Sequence, residues 1–242
     1  MGFRTLRACV DALRGENMLV EIDHPVDPHL EIAEIQRRLF RAGGPAVLFT
    51  NPKAAGFPVL VNLYGTQRRI ERIFADSLDR VKRLVELKID PAEALKKPWR
   101  YWRSPYDALS MLPRHVRSGS VLAREIPLSR LPQVTSWPGD GGPFVTLPAV
   151  YTEDPNRPGT KHSNLGMYRV QLGGNAYEHD REIGLHYQLH RGIGVHHAAA
   201  LARGEPLKVA VFVGGAPALA AALAAQGLAL TDDGGILVLR AN

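Results

Sequence analysis

From Thr5 to about Lys88 the hydrophobic pattern switches period repeatedly, and this alternation limits the possible folds more than any other feature of the chain. LRACVDALRGE, DPHLEIAEIQRRLFRAG and QRRIERIFADSLDRVKRLVELK repeat their apolar residues at helical steps, whereas MLVEID, AVLFTN and FPVLVNLY read as extended. Such alternation predicts an α/β layer built from successive units. Asp27 is placed to cap the second helix with Pro28 in its first turn, and Gly43 and Gly44 to stop it.

The 242 residues suffice for one large or two small domains with a real core. Between Ile89 and Gly142 the chain becomes proline-rich, with KKPWRYWRSP and WPGDGGP at either end, and reads as a connection crossing between two domains. Trp99, Tyr101 and Trp102 are expected to pack this connection against a domain while Arg100 and Arg103 face water, the alternative being a binding surface. From Phe144 onward strands dominate: FVTLPAVYTEDP and MYRVQLGG flank the turn-rich DPNRPGTKHSN, and a further strand, a helix and a strand follow. The expected division is an N-terminal α/β domain with its proline-rich connection over residues 1–120 and a second domain over 121–242.

Composition narrows the functional classes. Thirty Lys and Arg against 24 Asp and Glu give a net charge of +6, which favours anionic ligands such as phosphates and carboxylates. The basic residues are scattered and no run of them is interleaved with aromatics, so nucleic acid is not an expected partner. Cys9 is the single cysteine and the N-terminus lacks the apolar core of a signal peptide, from which a cytoplasmic setting is expected. Val209 to Thr231 is uncharged and long enough to span a bilayer. Gly214, Gly215 and Pro217 interrupt it, so a strand, a tight turn and a surface helix are expected rather than a transmembrane segment.

Three constellations can carry chemistry. In NLGMYRVQL, alternation places Met167 and Arg169 on one face of a strand and Tyr168 and Val170 on the other. Asn164 precedes that strand, where its amide either caps a turn or lends an oxygen to a hard cation; taken alone it reads as a turn residue, and Arg169 as a surface salt bridge. GLHYQLHRGIGVHH holds His186, His190, His196 and His197, and the first two have the spacing that shares a helical face. No HExxH is present, so a zinc hydrolase is unsupported, and His196 and His197 are expected to be hydrogen-bonded structural residues. LKVAVFVGGAPALAAALAAQ is a buried strand entering a Gly-rich turn and a helix with Pro217 in its first turn, neither a GxGxxG nor a P-loop, and reads as a plain α/β turn.

In this order and spacing, LPQVTSWPGDGGPFVTLPAVYTEDP, NLGMYRVQLGG, GLHYQLHRGIGVHH and GEPLKVAVFVGGAPA closely resemble the UbiD family of reversible decarboxylases, most strongly from Leu131 to Ala218. The resemblance implies an α/β (α+β) protein whose second domain is a split β-barrel, similar to flavin reductases, that binds prenylated FMN with a divalent metal, usually Mn2+, and K+. It implies non-oxidative decarboxylation of an aromatic or unsaturated carboxylic acid, with a polyprenyl-4-hydroxybenzoate of ubiquinone or menaquinone biosynthesis as the expected substrate. A flavin prenyltransferase as cofactor supplier and a homo-oligomer are also implied.

Residue by residue, Asn164 matches the asparagine metal ligand, and Met167, Tyr168 and Arg169 match the strand lining the cofactor, with Arg169 the catalytic arginine beside the substrate carboxylate. His186 falls where some members place a histidine metal ligand. His186, Tyr187, Gln188, Arg191 and Gly192 line up with a second cofactor-contacting segment. Family members run to roughly twice this length, and their acidic metal ligand and proton donor come from later segments; Asp232 and Asp233 match no motif, and Glu205, in a turn before a strand, is no substitute. The expectation is therefore the N-terminal half of such an enzyme, truncated at its C-terminus, with little or no turnover by itself. The alternatives are a non-catalytic flavin-binding module and a purely structural protein whose histidines pack.

Overall fold

The computed structural model of the chain describes residues 3–75, 78–110, 119, 125–219 and 239–240. Near the N-terminus, α1 (Leu6–Gly15) is capped by Thr5, whose extended backbone lets Oγ1 accept from the Ala8 N–H at 3.2 Å. Strands β1 (Leu19–Ile22), β2 (Ala46–Phe49) and β3 (Val59–Val61) form a three-stranded sheet in that order, with β1 and β2 parallel and β2 and β3 antiparallel. The crossover from β1 to β2 is α2 (Glu31–Arg41).

Alternation along the strands sorts the core into two halves. Ala46 and Leu60 join Cys9 and Leu13 of α1 and Ile73 and Phe74 of α3 (Gln67–Phe74) on one face of the sheet. Val47, Phe49, Val59 and Val61 join Ile32 of α2 on the other. The predicted helix–strand order is therefore present, with helices on both faces of a small sheet.

The start of α2 differs from expectation. The helix begins at Glu31 instead of Pro28, because residues 28–30 pair with a distant segment. His29 bridges Thr135, the Leu30 N–H donates to the Thr135 carbonyl at 3.0 Å, and the Thr135 N–H donates to Pro28 at 3.1 Å. Leu30 adopts φ 66, and Asp27 accepts from the His29 N–H at 2.8 Å, closing a turn rather than capping the helix. The same distant segment adds Val134 to the α2 half of the core. Arg37 of α2 donates to the Ser136 carbonyl at 2.9 Å and lies over the Trp137 ring.

The proline-rich connection is helical over much of its described part. After α4 (Leu78–Ile89) come α5 (Glu93–Lys96), α6 (Pro98–Tyr101), which has Pro at its first position, and α7 (Ser104–Ser110). Of its aromatics only Tyr101 is buried, its hydroxyl donating to Glu86 at 2.8 Å; Trp99 and Trp102 face outward, against the expectation that they pack inward.

The remaining strands are antiparallel and fall into two sheets. One has the order β10 (Leu239–Arg240), β9 (Val209–Phe212), β5 (Ala149–Glu153), β6 (Ser163–Met167); the other is β4 (Phe144–Val145), β7 (Val170–Gln171), β8 (Gly184–Leu185). Leu131, Val150, Val170, Leu172, Val211 and Ile193 of α8 (Gly192–Ala202) pack together between these elements. The helix expected beyond Leu219, together with Asp232 and Asp233, lies outside the described residues.

Each of the two long extended stretches divides at a corner. FVTLPAVYTE divides into β4 and β5, and SNLGMYRVQ into β6 and β7, with Val145 opposite Val170 on one side of the break and Ala149 opposite Met167 on the other. Thr146 to Pro148 on one limb thus face only Tyr168 and Arg169 on the opposing limb. The extra residue acts as a bulge that turns the hairpin from one sheet into the other.

Candidate active site

Asn164 does not precede the strand as expected but lies within β6, directly opposite the buried Thr152 of β5. Cross-strand partners share a face of the sheet, and here that face meets α8. A Cβ on Gly192, the first residue of α8, would stand 2.3 Å from Asn164 Oδ1, so only glycine lets the amide come this close. One helical turn later, His196 Nδ1 shares a hydrogen bond with Thr152 Oγ1 at 2.9 Å. Gly192 and His196 thus sit over Asn164 and Thr152 as two pairs.

The N-terminus of α8 is open. Arg191 at the cap position is extended and makes no capping bond with its side chain, which instead donates from Nε to Gln188 Oε1 at 3.3 Å. The first backbone N–H groups of α8 and the positive end of its dipole therefore lie beside an amide oxygen, an arrangement suited to an anion. Asn164 Nδ2 reaches the Tyr168 hydroxyl at 3.4 Å, and the Tyr168 ring lies over Gly166, where a Cβ would fall 2.6 Å from it. Tyr187 meets Tyr168 edge-on at 6.4 Å and is hydrogen-bonded through its hydroxyl to His197 Nδ1. His196 and His197 are thus hydrogen-bonded as expected.

A second cluster forms around Arg169. Its guanidinium lies over the face of Phe144, 3.7 Å from the ring centroid, and donates from Nη2 to Asp140 Oδ2 at 2.5 Å. The Asp140 carboxylate is largely buried, so the pair is more than a surface ion pair. Asp140 is held by a turn packed backbone to backbone on Gly173 and Gly174: a Cβ on Gly142 would fall 2.2 Å from the Gly173 carbonyl oxygen, and one on Gly174 would fall 2.0 Å from that of Gly141. His186 joins this cluster. Its backbone N–H donates to the Arg169 carbonyl at 3.0 Å, its Nε2 meets Gln171 Oε1 at 3.0 Å, and its ring stands edge-on to Phe144.

The expected pairing of His186 with His190 on a helical face is not found, because residues 186–191 are not helical and α8 begins only at Gly192. Nor does Arg169 share a regular strand face with Met167, since β6 ends at Met167 and Arg169 stands in the corner before β7. Among the contacts of the described residues, Asn164 is joined to the start of α8 and His186 to Gln171, and no contact joins the two. The segment from His186 to Gly192 runs from the Arg169 cluster to the Asn164 cluster, so every residue picked out there lies along one path. Sequence reading missed Asp140, Phe144, Gln171 and Thr152. Only Asp140 left a trace, as the acidic residue in the glycine turn WPGDGGP.

Glu205 lies in an exposed pair with Arg203 at 3.1 Å, away from both clusters, as its turn position suggested. Among the described residues no three His, Cys, Asp or Glu side chains are grouped to hold a metal ion, and no helix is long and apolar enough to cross a membrane.

Comparison with known proteins places these clusters in a wider setting. Residues 10–88 match the 3-octaprenyl-4-hydroxybenzoate carboxy-lyase N-terminal domain, and residues 114–231 match the Rift-related domain of the same carboxy-lyases. A protein of Chlamydia trachomatis is 43% identical over 221 residues, covering 89% of this chain and 36% of its own length. A 4-hydroxybenzoate decarboxylase component of Chlamydia pneumoniae is 38% identical over 218 residues, covering 88% of this chain and likewise 36% of its own length. The chain thus spans just over a third of these curated relatives. Among solved structures, vanillic acid decarboxylase of Sedimentibacter hydroxybenzoicus in its closed form superposes with a TM-score of 0.70 at 22% identity, covering 91% of this chain and 44% of that one. An evolved dimeric form of the UbiD-class enzyme HmfF from Pelotomaculum thermopropionicum, in complex with prFMN, superposes with a TM-score of 0.66 at 21% identity, covering 90% and 46%. At these identities the superpositions establish the fold.

Proposed function

The chain belongs to the UbiD family of carboxy-lyases, and on that footing we propose that it forms the flavin-holding part of a non-oxidative decarboxylase acting on an aromatic or unsaturated carboxylic acid. The observation that carries this reading is the placement of the Asn164 amide against the open N-terminus of α8, with Arg169 at the adjoining corner of the hairpin. Support also comes from the prFMN complex of a UbiD-class structural neighbour.

In this reading residues 121–242 belong to a split β-barrel flavin domain and residues 1–120 to the α/β domain that precedes it. The cofactor would be prenylated FMN, and the first N–H groups of α8 would hold its phosphate. The cradle fits such a group: Gly192 is flush with Asn164, and no side chain caps the helix. A divalent cation, Mn2+ in the first instance, would be held by Asn164 Oδ1 and an imidazole nitrogen of His186, an oxygen and a nitrogen donor that suit it. K+ is assigned to the same phosphate region.

Prenylated FMN, when bound, supplies the electron sink that a departing CO2 requires. The protein's own residues bind and orient. Arg169, lying over the Phe144 ring and tethered by Asp140, is a planar donor that would bind and orient the substrate carboxylate. Tyr168 and Tyr187 wall the region between the two clusters. A polyprenyl-4-hydroxybenzoate of quinone biosynthesis is the substrate we assign, with a flavin prenyltransferase supplying the cofactor and a homo-oligomer as the working form.

The test is FMN binding and cofactor retention. Chain purified from cells that also express a flavin prenyltransferase is expected to carry prenylated FMN, identifiable by mass, and Asn164→Ala is expected to weaken FMN binding about tenfold or more. Unchanged FMN affinity in Asn164→Ala would sink the reading.

A further inference from the structure

The two groups that hold Arg169, the Phe144 ring and the Asp140 carboxylate, both hang on the strap that runs from Val134 to Asp140. The Val134 carbonyl accepts from the Phe144 N–H at 2.8 Å. Asp140 closes a tight turn, its N–H donating to the Trp137 carbonyl at 3.1 Å, with Pro138 at the position that favours such a turn. The strap in its turn is held from the N-terminal layer. Thr135 is buried and bonded both to Pro28 and to Leu30, and the Ser136 carbonyl accepts from Arg37 of α2, 99 positions earlier in the chain.

Arg37 is built for this grip. Its Nε and Nη2 both donate to Glu34 Oε2, at 3.1 and 2.8 Å, which fixes the plane of the guanidinium on its own helix. Nη1 is left to donate to the Ser136 carbonyl at 2.9 Å, and the same group lies 4.8 Å from the centroid of the Trp137 ring. One side chain thus seizes two consecutive residues of the strap just before the turn that presents Asp140. Trp137 is 56% exposed, too open for burial alone to fix that turn.

We propose that Arg37 is a positioning residue for Arg169: through the strap, α2 sets where the Asp140 carboxylate stands, and with it how strongly the site selects a carboxylate ligand. The proposal rests on the reading of Arg169 as the group that binds the substrate carboxylate. Arg37 lies outside both clusters and acts only through Ser136 and Trp137. Such a distant hold matters because an orienting group must be kept within a fraction of an ångström of its working place.

The full chain, saturated with FMN, is to be titrated with 4-hydroxybenzoate and with 4-hydroxybenzamide, which keeps the ring without the charge, binding being followed by ligand-observed NMR. The parent chain is expected to prefer the acid. Arg169→Ala is expected to lower that preference about tenfold or more. Arg37→Gln is expected to lower it about fivefold, with FMN and amide affinities unchanged. Trp137→Leu, which removes the ring that Arg37 grips, is expected to reproduce the loss. Arg38→Gln, which takes a different partner from Glu34 on the same helix, is expected to leave the preference as in the parent. In Asp140→Asn, Arg37→Gln is expected to add little, because both changes act on one guanidinium. Circular dichroism verifies that each variant folds. A preference lost in Arg169→Ala but kept in Arg37→Gln and Trp137→Leu overturns the proposal and leaves the reading of Arg169 standing. So does an equal fall in Arg38→Gln, or a loss that Arg37→Gln adds in full to Asp140→Asn. No preference in the parent chain, or its survival in Arg169→Ala, refutes the reading of Arg169 and the proposal with it.

Discussion

Gly192→Ala adds one methyl group at the first residue of α8, where the new Cβ would lie 2.3 Å from Asn164 Oδ1 and 2.8 Å from its Cγ. Reaching the shortest separation that real Cβ atoms tolerate requires a shift of about 0.7 Å. The nearest atom is the end of a side chain, so the amide can rotate away at a cost of about 1 kcal/mol, near the low end of overpacking penalties. Alanine in place of glycine at a helical position returns up to about 1 kcal/mol. The midpoint of urea unfolding should therefore hardly move. FMN affinity, measured by quenching of flavin fluorescence, should fall about tenfold or more, because the amide oxygen no longer faces the helix N-terminus. In Asn164→Ala the two closest atoms are gone and only the Cβ at 3.3 Å remains, so adding Gly192→Ala to that variant should cost much less than in the parent chain, a non-additivity that a double-mutant cycle reads directly. Unaltered FMN affinity in Gly192→Ala would refute this, as would a stability loss above about 3 kcal/mol, which would mean that the contact is rigid and structural.

Asp140→Asn keeps the shape of the carboxylate but removes its charge, and should destabilise the fold by about 1–2 kcal/mol, between the values for exposed and buried pairs. In the assembled enzyme it should raise KM for the acid more than it lowers kcat, because Arg169 loses its tether; a loss confined to kcat would contradict a positioning role. Arg69 donates to the carbonyls of Leu63, Gly44 and Asn62 from a buried position, so Arg69→Met should cost about 3 kcal/mol or more by leaving those oxygens unsatisfied, as read by chemical denaturation. Burial pushes the Cys9 thiol up to about 11, and a thiol reagent near pH 8 should label it only after denaturant is added. The Asp180 carboxyl is held below its ordinary value by the Ser129 N–H, so its contribution to stability is complete above about pH 4 and is lost as the pH falls through the depressed value. Asp180→Asn should therefore show a smaller acid-induced fall in urea midpoint than the parent chain.

The N-terminal layer was legible because each of its elements obeys one period from end to end. Ala46, Val47, Phe49, Leu60 and Val61 alternate between two helix-covered faces just as their order in the chain suggests. The start of α2 was not legible, since the partner that holds residues 28–30 open is Thr135, a hundred residues away in a stretch with no strand pattern. The site shows the same division. Asn164, Tyr168, Arg169 and Gly192 were marked by the resemblance to a known family and not by type and spacing, and an alternating run does not reveal that its strand changes sheets after Met167, which sends Arg169 to Phe144 and Asp140 instead of to the face of Met167. The i, i+4 spacing of His186 and His190 misled because periodicity over a few residues cannot distinguish a helix from the extended lead-in to one. Asp140 was hidden by its glycines, which mark a turn without saying what the turn carries.

The sheet-switching corner also bears on how a chain of this kind can change over generations. The hairpin loop from Asp154 to His162 lies beyond the last paired residues and can lengthen or shorten without moving either cluster. The interval from Asn164 to Arg169 has no such freedom. One residue gained or lost there would reverse the faces of everything after it, carrying Arg169 away from Phe144 while Asn164 stayed beside α8. Descendants should therefore diversify through substitutions around Phe144 and through loop length, with the count of residues between the amide and the guanidinium kept fixed.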